Sequence, residues 1–253
     1  MSDLARALGI SGGIVCAVGA GGKKTLCYAL AAEAAGRTGL TASVHTAPFP
    51  RRLDAHKLID EEAALIERVP AERAINGTTA YAQPAVKPKR LAGVAPAAIA
   101  RIHEAGAFDL TLVKADGARM RGIKAPKPGE PVLVPGTSWV LVVVSAAVIG
   151  APLDERIAHR PERLAELLGV EVGASITPEH VARLLVSREG GLQGTAGIAV
   201  TAVINQVDDE ARKDAAEAVA RRVLLADTGI ERVVLTCLRR PQPVQAIFSR
   251  DPL

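Results

Sequence analysis

The chain has 253 residues, 49% of them apolar and only 2% aromatic, and its 31 Lys and Arg against 27 Asp and Glu leave a formal net charge of +4. This is enough apolar sequence for one large α/β domain with an aliphatic core. So mild a positive balance does not imply a nucleic-acid partner, and so few aromatics exclude base stacking as a way of binding one. The longest apolar run, Trp139–Ile149, is too short to span a bilayer, so no membrane partner is expected either.

In chain order, Met1–Arg6 lacks a basic segment followed by an apolar stretch, and a cytoplasmic location is the expectation. The apolar run Ile14–Val18 reads as a strand. It leads into Gly19-Ala20-Gly21-Gly22-Lys23-Lys24-Thr25 and then a helical stretch over Lys24–Ala35. Strand, glycine turn with lysine, helix is the layout of a phosphate-binding loop. Glycines let backbone N–H groups face into the turn, the helix N-terminus favours an anion, and a lysine adds a point charge for the outer phosphates.

The usual pattern is G-x-x-x-x-G-K-[ST], and two registers compete. With Lys23 as the phosphate lysine, Ala17 takes the first glycine position and Lys24 the hydroxyl position, leaving Thr25 as the nearest hydroxyl. With Lys24 as the phosphate lysine, Thr25 fits, but Lys23 and Val18 replace the two glycines. The first register is preferred because three glycines and Ala20 precede Lys23. A dinucleotide fingerprint would need a small residue at Lys24 and an acid after the second strand, where Ser43-Val44-His45-Thr46 stands. A glycine turn without any ligand is the remaining alternative.

Further strands are expected at Leu40–His45, Leu110–Ala115, Trp139–Ser145, Ile198–Ile204 and Arg232–Thr236. Their runs are continuously apolar, as for parallel strands covered on both faces. Helices are expected at Pro96–Ala105, Pro161–Leu168, Pro178–Val186 and Asp209–Leu225, with Thr177 capping the third of these. The alternation argues for a doubly wound, mostly parallel sheet. One domain over residues 1–253 is expected, with a small insertion at about 47–96. That stretch is rich in Pro, Arg and Lys, and suggests a short helix near Leu58–Arg68 and a hairpin around Ala74–Ala82. Cys16, Cys27 and Cys237 show no C-x-x-C spacing, and the five histidines show no metal-ligand spacing.

Two later segments carry chemistry. The run Phe108–Ala115 ends at Asp116-Gly117. In phosphate-loop enzymes a carboxylate at a strand end holds Mg²⁺, which makes Asp116, with Thr25, the candidate metal ligand. An Asp-Gly turn is the alternative. Lys114, near the end of a central strand, needs an anion or acid to offset its burial. Arg119, Arg121, Lys124 and Lys127 follow within nine residues, beyond a strand's carboxyl end where ligands bind in open α/β sheets. Arg119, Arg121 or Lys124 is a candidate to reach a phosphate. Asn205-Gln206-Val207-Asp208 resembles the N-K-x-D element of guanine-nucleotide proteins, whose aspartate selects guanine through a donor pair that adenine lacks. The alternative is that Asp208 caps the helix after it.

Several of these segments, in order, resemble the selenium-dependent molybdenum hydroxylase accessory proteins, the YqeC-like family. They are Val18–Lys23, Ala115–Arg121 with Lys124-Ala125-Pro126, Glu130-Pro131-Val132, Gly150–Leu153, His159–Glu162 and Asn205–Asp208. The resemblance implies a three-layer α/β fold like that of P-loop NTPases, with a mostly parallel sheet flanked by helices. It also implies a bound nucleoside triphosphate, GTP or ATP, with Mg²⁺, and a molybdenum hydroxylase or its maturation factors as partner. In that picture Gly19, Ala20, Gly21, Gly22, Lys23, Lys24, Thr25, Arg121, Asn205 and Asp208 bind the nucleotide. Lys23, Asp116 and Arg119 act in hydrolysis. The family usually reads G-G-K-T-[ST] and E-A-D-G, where this chain has Lys24 and Lys114. These lysines add charge but cannot copy the octahedral coordination of Mg²⁺. Three functions stay open: an NTPase, a scaffold holding a phosphate-bearing or molybdopterin-type ligand without hydrolysis, and an apolar interaction module with a vestigial loop.

Overall fold

The computed structural model describes residues 3–250; Met1, Ser2 and Asp251–Leu253, part of the stretches read above, lie outside the described residues. The elements run α1 (Asp3–Ala7), β1 (Gly13–Gly19), α2 (Lys23–Glu33), β2 (Arg37–Ala42), β3 (His56–Ile59), α3 (Glu62–Glu72), β4 (Gly77–Pro84), β5 (Leu91–Ala92), α4 (Pro96–Ala105) and β6 (Leu110–Lys114). They continue as β7 (Ile123–Lys124), β8 (Thr137–Ser145), β9 (Ala158–His159), α5 (Pro161–Leu168), α6 (Pro178–Val186), β10 (Ala199–Asn205), α7 (Glu210–Leu225), β11 (Ile230–Thr236) and β12 (Val244–Ser249).

Among the described residues, one sheet runs in the order β12-β11-β10-β8-β1-β6-β2-β4-β3, with β5 pairing β4 and a separate β7–β9 pair. Its neighbours are parallel except β11–β12 and β4–β5. Helices cover both faces, so the chain is a three-layer α/β fold with a mostly parallel sheet, consistent with that of P-loop NTPases. Residues alternate between the faces along each strand. Cys16, Val18, Val113 and Val142 pack with Leu65, Ile99, Leu164, Val181 and Val219 of α3 to α7. Val15, Ala17, Leu112 and Leu141 pack with Leu4 and Leu8 from the α1 region and Leu26 and Leu30 of α2. No helix among the described residues is long and apolar enough to cross a membrane.

The helix starts at Pro96, Pro161 and Pro178 fall where expected, because proline at the first turn gives up no helical hydrogen bond. Thr177 accepts from the His180 amide as the cap of α6. Residues 77–84 depart from the expected hairpin. They form the parallel strand β4 between β2 and β3, so this stretch extends the main sheet. Small and hydroxyl side chains conceal its burial: Thr78 Oγ1 donates to Ala31 O at 3.2 Å, and Thr41 Oγ1 donates to Tyr81 O at 2.7 Å. Satisfied hydroxyls of this kind enter a core at little cost.

Tyr81 is an exception in the same strand. Its ring is fully buried and its hydroxyl has no partner among the described residues. An unmade buried hydrogen bond costs about 1–3 kcal/mol. Tyr81→Phe is therefore expected to leave stability unchanged or raise it by about 1 kcal/mol, measured by urea unfolding. A loss above that size would mean the hydroxyl has a partner after all.

Candidate functional site

The glycine loop lies at the carboxyl end of the central strand. β1 has β6 on one side and β8 on the other, so the chain crosses over β1 between them. This reversal of direction is where open α/β sheets leave a crevice. Gly21 and Gly22 have φ of +85° and +136°, and a Cβ on Gly22 would strike the Asn205 side-chain nitrogen. Only glycine combines this backbone with so close an approach.

Most of the loop's hydrogen bonds are made within the protein. The Gly19 amide donates to Asp116 Oδ2 at 2.9 Å, the Ala20 amide to Val143 O at 2.8 Å and the Gly21 amide to Arg121 O at 3.0 Å. Asn205 Nδ2 donates to Gly21 O at 2.7 Å. The donors left are those of the first turn of α2, where Gly22 provides no side-chain cap.

Lys23 opens α2 and turns beneath the loop. It donates to Gly19 O and its Nζ lies 2.9 Å from Asp116 Oδ1, with both side chains almost fully buried. That approach is an ion pair that is poorly aligned for a hydrogen bond. On the far side, Lys124 Nζ donates to Asp116 Oδ2 at 2.8 Å, to Gly117 O at 2.8 Å and to Glu130 Oε2 at 2.7 Å. Arg160 closes the chain of charges with a bidentate pair to Glu130 at 2.9 and 3.0 Å. Burial lowers the Lys23 pKa, and the Asp116 carboxylate works against that. Lys124 thus braces the loop from inside, which corrects the expectation that it reaches out to a ligand.

Magnesium does not fit these residues as they stand. Both Asp116 oxygens already face ammonium groups, Thr25 is exposed on α2, and no group of three or more His, Cys, Asp or Glu among the described residues could hold a metal. Mg²⁺ needs several oxygens in near-octahedral array. The cavity under the loop, lined by Val18, Asp116, Lys124, Leu184 and Gly191, measures about 30 Å³. That is room for a water molecule, not a nucleotide.

On the α2 side, charge is less balanced. Lys114 Nζ donates to His45 O at 3.0 Å and contacts no carboxylate among the described residues. Burial, then the nearby Lys23 ammonium, lowers its pKa to about 8. Lys24 is half-buried at the helix start. Arg119 is exposed in a left-handed turn, and Arg121 is half-buried, its carbonyl holding Gly21.

Asn205 and Asp208 diverge. Asn205 is buried and ties the loop to the end of β10. Asp208 accepts from the Cys237 thiol at 3.1 Å and pairs with Arg212 at 2.9 Å, so its carboxylate is already engaged. Nor does Asp208 cap α7; Asp209 does, accepting from the Arg212 amide at 2.8 Å. Glu130 and Arg160 are site residues to which sequence reasoning assigned no role, because nothing local marks a pair 30 residues apart.

Glu130 makes the site acid-sensitive. Burial alone would raise its pKa, but hydrogen bonds from Arg160 and Lys124 prevail and hold it at about 2. A carboxylate with a depressed folded pKa stabilises the protein above its unfolded pKa of about 4.3 and loses that contribution as pH falls towards 2. Glu130→Gln is expected to lose on the order of 2–3 kcal/mol at pH 7, with the gap to the parent closing below about pH 4. Urea unfolding at pH 7 and pH 3 checks this, and an equal gap at both would contradict it.

A family model described as YqeC protein matches residues 15–162, more than half of the chain. A protein of Escherichia coli (strain K12) bearing the name Uncharacterized protein YqeC is 24% identical over 187 residues, 71% of this chain and 70% of that one. No solved structure matches. The chain belongs to the YqeC family.

Proposed function

We propose that this YqeC-family chain binds a phosphate-bearing ligand at the start of α2, with lysines where related loops use a metal ion. Two half-buried ammonium groups in no salt bridge among the described residues, Lys24 and Lys114, carry the reading. Cations brought together at the cost of desolvation and mutual repulsion favour an anion between them. The uncapped amides of the first turn of α2 add to that preference.

Lys23 is the group that a phosphate would compete for. In the free protein it is held by Asp116. When Lys23 turns to a phosphate, Lys124 stays on Asp116, so no bare carboxylate is left buried. Under the family resemblance, the ligand is a nucleoside triphosphate or a molybdopterin-type cofactor. The client is then a selenium-dependent molybdenum hydroxylase or one of its maturation factors. The arrangement favours holding the ligand over hydrolysing it, because Asp116 is engaged by Lys23 and Lys124.

Calorimetric titration of GTP and ATP, with Mg²⁺ and then with EDTA, tests the reading. Binding is expected in both, and Lys23→Ala is expected to weaken it about tenfold or more. A strict Mg²⁺ requirement would restore the NTPase assignment. Absence of binding would leave the apolar interaction module.

A further inference from the structure

The stretch from Gln83 to Ala92 lies beside the glycine loop, although it is distant in sequence. β4 and β5 pair antiparallel, Gln83 opposite Ala92 and Pro84 opposite Leu91, which makes residues 85–90 their connecting turn. Leu91 then exchanges two backbone hydrogen bonds with Thr46, at 2.9 and 3.0 Å. Thr46 follows His45, whose carbonyl receives the Lys114 ammonium. Lys114 is opposite Ala42 of β2 and Ala17 of β1. These pairings bring Arg90 to the edge of the crevice at which Lys114 and the start of α2 converge.

The charges at that edge are only partly compensated: Asp116 favours the charged form of Lys114 without contacting it. Among the described residues, Lys24, Arg90 and Lys114 take part in no salt bridge, whereas Lys23, Lys124 and Arg160 all do. Burial, followed by the Arg90 guanidinium, lowers the Lys24 pKa, so the two groups are near enough to repel. A lone exposed arginine is ordinary on a protein surface. Three cations from α2, the β4–β5 turn and β6, gathered without a salt-bridge partner among the described residues, are not.

We infer that Arg90 belongs to the ligand site and adds a second anionic subsite beside Lys24 and Lys114, so that the ligand carries at least two adjacent phosphoryl groups. The inference rests on the phosphate-binding reading above and narrows its ligand class. A single phosphate satisfies the start of α2 with Lys23, Lys24 and Lys114. A pyrophosphate unit extends to the second subsite, where a guanidinium offers paired donors to its oxygens.

Titration of inorganic phosphate and of pyrophosphate into the full chain, without metal, tests this. Pyrophosphate is expected to bind at least about tenfold more tightly than phosphate. Arg90→Ala is expected to remove most of that advantage while changing phosphate affinity less than about threefold, and Arg90→Lys to restore part of it. Arg90 is exposed, so these variants are expected to fold. Equal affinity for the two anions, or an advantage that survives Arg90→Ala, would overturn the second subsite and leave the loop site standing. If neither anion binds, the phosphate-binding reading fails and this inference with it.

Discussion

Asp116→Ala is expected to destabilise the protein by about 3–5 kcal/mol, because it leaves Lys23 and Lys124 buried without their shared counter-charge. The carboxylate is 2% exposed and accepts from the Gly19 amide as well. Its removal therefore also frees an N–H in the loop. Urea unfolding measures the loss. Lys124 keeps Glu130 at 2.7 Å, so Lys23 is the stranded charge, and Lys23→Met in the same background is expected to recover part of the loss. A carboxylate reserved for a metal would behave otherwise, since removing it from a metal-free protein relieves repulsion. A loss below about 1 kcal/mol would return Asp116 to the metal-ligand assignment.

Gly21→Ala is expected to damage the loop severely. The residue has φ of +85°, and a Cβ there would lie 2.5 Å from the Ser145 amide nitrogen and 3.0 Å from its Cα. Those are backbone atoms at the end of β8 and cannot step aside as a flexible side chain does. Left-handed strain and the clash together are expected to cost about 2–4 kcal/mol. Loss of phosphate binding is expected as well, because Gly21 O is the acceptor for Asn205. Gly117→Ala is the control: its φ is not left-handed and a Cβ there meets nothing within 4 Å. Thermal unfolding of both variants, with phosphate titration of whatever folds, checks the expectation. Equal stability of the two would mean the loop moves aside more easily than its packing implies.

Much of the scaffold is legible in the chain because its signals are local. The strands at Ile14–Val18, Leu110–Ala115 and Trp139–Ser145 announce themselves as apolar runs buried on both faces. Prolines mark the starts of α4, α5 and α6. The glycine turn before α2 follows from the same kind of signal, since a backbone demand for glycine is written at the residue itself. β4 is less legible because its Thr, Ala and Tyr residues lack a β-branched aliphatic run, and the Thr78 hydroxyl is satisfied only by the distant Ala31 carbonyl.

The site is different in kind. Nothing near Lys124 in the chain distinguishes it from Arg119 or Arg121, yet it is buried between two carboxylates while they reach towards solvent or lie half-covered. Asp208 and Asp209 are equally plausible caps on paper, and the choice between them follows from the turn that gives Asp208 to Cys237. Arg90 looks like any basic residue of a loop until the Thr46–Leu91 bridge carries it to the edge of the crevice. Backbone conformation and burial period are properties of a residue and its immediate neighbours, so the order of residues determines them. A charge has no meaning until its partners are known, and those partners, from 6 residues away for Lys124 and Glu130 to 93 for Lys23 and Asp116, are assembled by the packing of the sheet.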